Sequence, residues 1–455
     1  MRLIARFAKD RGTHFDVITV YNGKTDVQQC DKNKPLIESL TKKYPAAIWF
    51  ERKMFDDFGI QVEGAFDTRP LLHHERFPKN IHPMLKNFND KSLDLVEPTA
   101  YPYERINGDG IFEVAVGPIH AGIIESGHFQ FSQAGEDILH LEVRHFYKYR
   151  GIEKLLENKT LDEAKAIIER ISGNESVAYQ IAFFEITAQA WHVEIPIHIR
   201  KRNALLLELQ RVISHLTSLG FIPNDAGFEA ALAICSKLSE AARRVMQRIT
   251  GHRFGFAAIG FEIKEIDIED FSLYLDSLQK DINWFEDWIT DIPSLWDRFD
   301  NTGKISLAKA IKYSTVGVVA RASGVTQDTR DNQFYIDYGF EMANEKSLDV
   351  AARFKVRISE VKNSIVMMRN FLDNTNEKVI FKSLHDGEYN SFVESSLGEL
   401  FMHVQIKDSL IERFFVRDPS FVNWQALHTM MDGNIIADFP LINKSCDLSY
   451  AGNDL

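Results

Sequence analysis

Cysteine is scarce in this 455-residue chain: only Cys30, Cys235 and Cys446, far apart and with no CxxC spacing. So sparse and odd a set excludes a disulfide-built scaffold and points to a reducing compartment. It also leaves too few thiolates for an all-cysteine cluster held within the chain. Long apolar runs are lacking too. No uncharged stretch approaches the roughly 20 residues needed to cross a bilayer. Met1–Ala8 carries Arg2 and Arg6 and reads as a strand rather than a signal segment. Any membrane association is therefore expected through partners. Positive charge is in deficit, with 53 Lys and Arg against 65 Asp and Glu, a net charge of −12. That disfavours nucleic acid, whose phosphates need a basic face. No G-x-G-x-x-G or Walker pattern sits on a strand–helix junction, so direct NAD or ATP binding has no support. Internal repeats and low-complexity segments are absent.

What is present is a chain with 45% hydrophobic residues, enough for a large core. At about 150 residues per domain the length allows three units, or one large α-rich core with a small module. Leu3–Ala8 and Phe15–Tyr21 alternate and are joined by the turn-rich Lys9–Thr13, a hairpin pattern. Helices are expected at Pro35–Lys43 and Pro45–Phe58, the second ending at Gly59. Gly64–Asn89 has little periodicity and reads as an extended linker, placing a boundary near Phe88 and dividing the chain into 1–88 and 89–455. Strands are expected at Phe112–Val116, Ile123–Phe131 and Asp137–Phe146. Asn174–Trp191, Lys201–Leu219, Glu229–Thr250 and Phe271–Thr290 then show helical spacing, followed by Ser306–Lys312 and Leu348–Leu372. A loop of mixed strand character is expected over Gly317–Tyr338. The last helix is expected at Asn423–Met431, with an extended tail after it. The fold class expected is α+β: a small αβ module, then a large mostly helical domain preceded by an antiparallel sheet.

Two segments carry most of the chemical information. Gly117-Pro118-Ile119-His120-Ala121-Gly122-Ile123-Ile124-Glu125-Ser126-Gly127-His128 puts two histidines and a carboxylate in a Gly-rich hairpin, suited to proton transfer or ligand contact. Taken alone, it reads more readily as a tight turn whose histidines bond backbone. It resembles the opening motif of the large subunit of energy-converting [NiFe] hydrogenases and of the D subunit of respiratory complex I. Tyr149-Arg150-Gly151-Ile152-Glu153-Lys154-Leu155 resembles the HRGxEKL element of both. Arg321-Ala322-Ser323-Gly324, with Asp328 and Arg330, resembles their RxSG…DxR segment. Tyr44-Pro45, Trp49-Phe50-Glu51-Arg52, Asp56-Asp57-Phe58-Gly59-Ile60 and Arg69-Pro70-Leu71-Leu72 resemble the complex I C subunit, shortened at its start. The chain is thereby identified as a member of the fused C–D group that includes formate-hydrogenlyase-type hydrogenases.

The departures bear on the chemistry. The hydrogenases hold nickel and iron with four thiolates, a soft donor set. The matching segments here read Arg170-Ile171-Ser172-Gly173-Asn174-Glu175 and Asp447-Leu448-Ser449-Tyr450-Ala451-Gly452. The four ligand positions fall on Ser172, Glu175, Ser449 and Gly452, so no metal is expected. Ser172-x-x-Glu175 before an apolar helix is a capping-box pattern, with Glu175 at the positive helix end. Alternatively, a partly buried Glu175 near His120 serves as a proton relay.

In complex I the equivalent cavity takes a quinone headgroup, using a histidine that maps to His128, with His120 beside it, and a tyrosine whose position falls near Gly173. Tyr179 lies on the following helix. Arg150 and Arg170 match two arginines that face the terminal iron–sulfur cluster. The resemblance implies a cytoplasmic, peripheral subunit on the inner face of the cell membrane, docked to an iron–sulfur small subunit and to antiporter-like membrane subunits. It would bind no cofactor of its own except a quinone, used with His128, His120 and Glu175. The competing reading is a redox-silent coupling subunit. A pocket lined by His128 favours the first; a cavity packed shut by Phe129, Phe131 and Tyr179 favours the second.

Overall fold

The structure is a computed structural model that describes residues 1–88, 93–120, 124–262, 264–375, 379 and 383–455. The chain opens on an antiparallel sheet of β1 (Leu3–Asp10), β2 (His14–Tyr21) and β3 (Lys24–Asp31), in that order. The turn between β2 and β3 is Asn22-Gly23, with Gly23 at φ +80°, a two-residue connection whose twist suits a hairpin. Pro35–Lys43 does not form the expected helix. Leu36–Glu38 forms β4 and pairs in parallel with β5 (Gln61–Glu63). Just beyond it the buried Glu51 carboxylate accepts the Leu40 amide at 2.7 Å and the Ser39 hydroxyl at 2.8 Å. Those tertiary bonds hold this stretch outside a helix. Between β4 and β5, α1 (Ala47–Phe58) ends on left-handed Gly59, whose amide donates to Phe55, the glycine C-cap expected from the sequence.

A second antiparallel sheet follows, of β6 (Ile111–Val116), β7 (His128–Ala134) and β8 (Asp137–Arg144). The strand expected from Ile123 begins only at His128, and residues 121–123 lie outside those described. Short α2 (Ile152–Leu155) and α3 (Leu161–Ile168) lead to the helical core of α4 (Ser176–Ala190), α5 (Ile197–Asp225), α6 (Glu229–Thr250) and α7 (Ile268–Thr290). Next come α8 (Pro293–Phe299), α9 (Leu307–Lys312), α10 (Gly317–Arg321), α11 (Gln333–Asp337) and α12 (Val350–Phe371). The expected loop over 317–338 thus holds two short helices, because Val318 and Val319 pack inward and Arg321 plugs a buried ion cluster. Helix α4 is buried on nearly every face, as a central helix must be, and α5 runs between α6 and α12.

A third sheet was not expected: β9 (Gly387–Ser395), β10 (Gly398–Lys407) and β11 (Leu410–Arg417), with β10 in the middle. All but the last residue of β10 is buried, so it lacks the period-2 alternation that reveals a half-exposed strand. After it, α13 (Pro419–Ala426) starts earlier than expected, because Asp418 caps it and Pro419 takes the first helical turn. The supposedly extended tail holds α14 (Phe439–Cys446) and α15 (Tyr450–Asp454), both largely buried. The fold is α+β as expected. Sheet β1–β3 lies against the third sheet: Phe7 stacks on Phe415 at 4.1 Å and Arg2 pairs with Glu399 at 2.6 Å.

Candidate functional site

The two segments that match the ligand-bearing motifs are far apart in sequence and meet in space. Ser172 and Ser449 share a hydrogen bond between their hydroxyls at 3.2 Å. Arg150 clamps both segments, its guanidinium donating to the carbonyls of Arg170 (3.2 Å), Ile171 (2.8 Å) and Ala451 (2.8 Å). Ser449 also caps α15 by accepting the Gly452 amide at 2.9 Å. Gly452 offers no donor. A Cβ built there would lie 2.4 Å from Oδ2 of Asp418, so the carboxylate of Asp418 fills the space a side chain would need. Tyr179 donates to that same oxygen at 2.7 Å, and the Ser420 amide to Oδ1 at 2.7 Å.

Glu175 is fully buried and makes no capping box. Neither Ser172 nor Glu175 accepts a helix-start amide through its side chain. The one complete box in this region is at α3, between Thr160 and Glu163. Glu175 instead accepts the Ser396 amide at 3.0 Å, the Ser396 hydroxyl, and the Gln210 amide at 3.1 Å. Burial pushes its carboxyl up to about 7, against the Ser396 bonds and with the nearby Asp418 charge adding to the rise. Burial likewise raises Asp418. The region therefore holds two carboxyls that burial raises, beside the four positions matched to a thiolate ligand set. The donor set does not fit a nickel–iron centre: two hydroxyls bonded to each other, a carboxyl engaged by Ser396, and a glycine. Among the described residues no group of three or more His, Cys, Asp or Glu is placed to hold a metal ion. The three cysteines are each buried, on β3, α6 and α14.

A raised carboxyl has a thermodynamic signature. Its folded-state value lies above the unfolded one, so the stabilisation it gives is complete at low pH and lost as pH rises from about 4.5 through about 7. Relative to wild type, Glu175→Gln is expected to gain stability across that window and to be level with it, or below it, at acidic pH. Melting curves taken at several pH values measure this. A pH-independent offset would contradict the buried, proton-holding carboxyl.

Beside this region lies a cleft of about 440 Å³. His120, Phe129, Asn174, Gln210, Ser214, Ser449 and Tyr450 line it, together with the facing side of α5, part of α6 and the start of α14. His120 donates from Nε2 to the Gly127 carbonyl at 2.7 Å, which leaves Nδ1 for a ligand. His128 is not among the lining residues. Its ring is buried, with Nδ1 against the Gly117 carbonyl at 3.1 Å, Nε2 against Gln130 at 3.3 Å, and Tyr103 packed on it. Tyr179 points to Asp418 rather than the cleft and does not replace the missing tyrosine near Gly173; Tyr450 lines the cleft instead. Glu175 reaches the cleft only through its partners. Gln210 and Ser214 both line it, and the Ser396 hydroxyl bonds Ser214 at 2.8 Å as well as Glu175. Glu175 and His120 share no hydrogen bond. Arg170 is exposed, paired with Glu169 and stacked on Phe256.

Comparisons with known proteins identify the family. The family described as "Respiratory-chain NADH dehydrogenase, 49 Kd subunit" matches residues 225–385 and 381–454. The family described as "Respiratory-chain NADH dehydrogenase, 30 Kd subunit" matches residues 8–92. Formate hydrogenlyase subunit 5 of Escherichia coli (strain K12) is 29% identical over 94% of this chain and 78% of its own length. The fused C/D-type NADH-quinone oxidoreductase protein of Phocaeicola vulgatus is 26% identical over 95% of this chain and 89% of its own. The membrane-bound hydrogenase alpha subunit of Pyrococcus furiosus is 26% identical over 74% and 85%. Among the described residues no helix is long and apolar enough to cross a membrane. With its 30 kDa-type module ahead of a 49 kDa-type region, this chain belongs to the complex I 49 kDa subunit family, in a C/D-like form related to energy-converting hydrogenase large subunits.

Proposed function

We propose that this chain is the core peripheral-arm subunit of a membrane-associated, ion-coupled oxidoreductase that passes electrons from a partner's iron–sulfur cluster to a quinone-like acceptor in the cleft. The module boundary lies near residue 88. Arg150 and Arg170 face the iron–sulfur small subunit, antiporter-like subunits supply the membrane contact, and the assembly sits on the inner face of the cell membrane. The acceptor takes two electrons from the cluster, one at a time, and two protons from the chain. With both ring nitrogens protonated, His120 keeps Nε2–H on the Gly127 carbonyl and donates from Nδ1–H to the ring oxygen. Glu175 supplies or refills the proton through Ser396 and Ser214.

The observation that carries this reading is the hydrogen-bonded line from the cleft to a buried carboxyl pushed up to about 7, a value suited to proton exchange near neutral pH. His128, walled off by Tyr103, Gly117 and Gln130, serves by shaping the hairpin. The redox-silent coupling reading draws support from a different observation, the closure of all four ligand positions by Ser172, Ser449, Asp418 and Ser396.

Menadione titrated into the full chain separates the two. Trp424 packs on Tyr450 with ring centroids 5.1 Å apart and reports on the cleft. Saturable quenching, weakened about tenfold by His120→Ala through loss of one ligand hydrogen bond, is expected. Quenching that never saturates would favour the redox-silent subunit.

A further inference from the structure

Three cationic side chains line the cleft, and their pairing is uneven. Arg253 is held by Glu240 at 2.6 Å. Arg243 and Lys444 are in no ion pair among the described residues. Arg243 donates only to the Thr217 hydroxyl, at 3.1 Å. The Lys444 ammonium sits 5.0 Å from the centre of the Phe221 ring. Both are half-buried. Thr217 and Phe221 are four residues apart on α5, so the two cations meet that helix one turn, about 6 Å, apart along one face.

The carboxylates of the cleft do not balance them. Asp447 accepts the Ser218 hydroxyl at 2.5 Å. Glu125 accepts the Ala451 amide at 3.0 Å and pairs with Lys148 at 3.4 Å. Asp225 lies near Lys444 without closing an ion pair, and burial pushes its carboxyl up. Burial and the neighbouring Arg253 work against the charge on Arg243, while Glu240, the carboxylate already bonded to Arg253, favours it without closing an ion pair to Arg243. A half-buried cation without a counter-ion costs solvation that an arriving anion repays. Beside the polar lining of His120, Gln210 and Ser214, part of the wall is apolar and largely aromatic: Phe129, Phe439, Phe254 and Met246.

Resting on the acceptor reading above, we infer that the cleft's ligand is an organic anion: an aromatic or otherwise apolar ring system bearing a carboxylate-, sulfonate- or phosphate-type group, with the anionic group between Arg243 and Lys444 and the ring against Phe129 and Phe439. A neutral, lipid-tailed headgroup leaves both cations unanswered.

Two probes of the same ring system isolate the charge: menadione and 1,4-naphthoquinone-2-sulfonate, titrated into the full chain by tryptophan quenching, with inorganic sulfate as a third titrant. The sulfonate is expected to bind at least about tenfold tighter than menadione, the scale of one charge-assisted contact, and its affinity should fall as salt rises while that of menadione holds. Arg243→Gln and Lys444→Gln should each remove most of that preference, whereas Arg243→Lys should keep it; wild-type-like melting curves confirm that the variants fold. Equal binding of the two quinones overturns the anion inference and leaves the acceptor reading standing. Sulfate binding as tightly as the sulfonated quinone also overturns it, since the ring would then contribute nothing. Binding of neither quinone overturns both.

Discussion

Reinstating a cysteine at Gly452 is expected to destabilise the chain by about 3 kcal/mol, the upper range for forcing atoms into a filled site. The new Cβ would stand 2.4 Å from Asp418 Oδ2 and 2.8 Å from its Cγ. Asp418 cannot swing aside cheaply. Tyr179 holds one of its oxygens and the Ser420 amide the other. Its removal would release the clash at the cost of a buried tyrosine hydroxyl left without its acceptor, about 1–3 kcal/mol. The two changes should therefore be strongly non-additive. Gly452→Cys costs much less in an Asp418→Ala background than in wild type. Denaturant unfolding of wild type, both single variants and the double variant closes this cycle. Additivity would mean that Asp418 does not occupy the ligand space.

The second large effect lies in the core. Glu360 is buried and accepts from Arg321 Nε at 2.9 Å and from His215 Nε2 at 2.8 Å. Arg321 also reaches Glu394 at 2.8 Å and Asp328 at 3.0 Å, while Arg330 joins Asp328 at 2.7 Å to Glu208 at 3.1 Å. Burial alone would raise the Glu360 carboxyl, yet Arg321, His215 and Arg330 together hold it well below the usual carboxylate range. His215 fits this network as the neutral ring. Its Nδ1 accepts from Arg357 at 3.1 Å while Nε2–H donates to Glu360. Burial lowers the ring to about 4. Truncating one member leaves the opposite charge buried and unpaired, so Glu360→Ala is expected to cost about 3–5 kcal/mol. Breaking a surface pair such as Arg244–Glu240, whose arginine is largely exposed, should cost far less, because solvent screens it. Equal effects at the two places would contradict the network's role in joining α5, α10, α12 and β9.

These two sites differ in how far the sequence disclosed them. The RxSG…DxR spacing marked Arg321, Asp328 and Arg330, but their partners Glu208, Glu360 and Glu394 come from α5, α12 and β9, and nothing in local spacing links them. The same limit applies at the candidate site. The ordered motifs located Ser172, Glu175, Ser449 and Gly452, and the fold brings both segments together. Asp418, Ser396 and Gln210 had no signal of their own, because each acts across a long loop closure rather than within a motif.

The capping box does not form, for a physical reason. Ser172 does have the extended backbone of an N-cap, yet its hydroxyl turns to Ser449, and Ser396 draws Glu175 into the core. A competing tertiary acceptor outweighs a local pattern. The motif alone does not choose between His120 and His128: Gly117, Gln130 and Tyr103 enclose the His128 ring, while His120 lines the cleft. In the fold, β3 was not expected, although Asn22-Gly23 ahead of it is a hairpin turn pair. The third sheet was not expected; burial on both faces erases the alternation of its central strand β10.

We propose that the four positions matched to thiolate ligands form a hydrogen-bonded site without resident nickel, beside the cleft, in which burial raises the carboxyls of Glu175 and Asp418. Elemental analysis of the native, purified assembly for nickel tests it most directly. No nickel above background is expected, with iron confined to the partner's clusters. Nickel stoichiometric with this chain would contradict the claim.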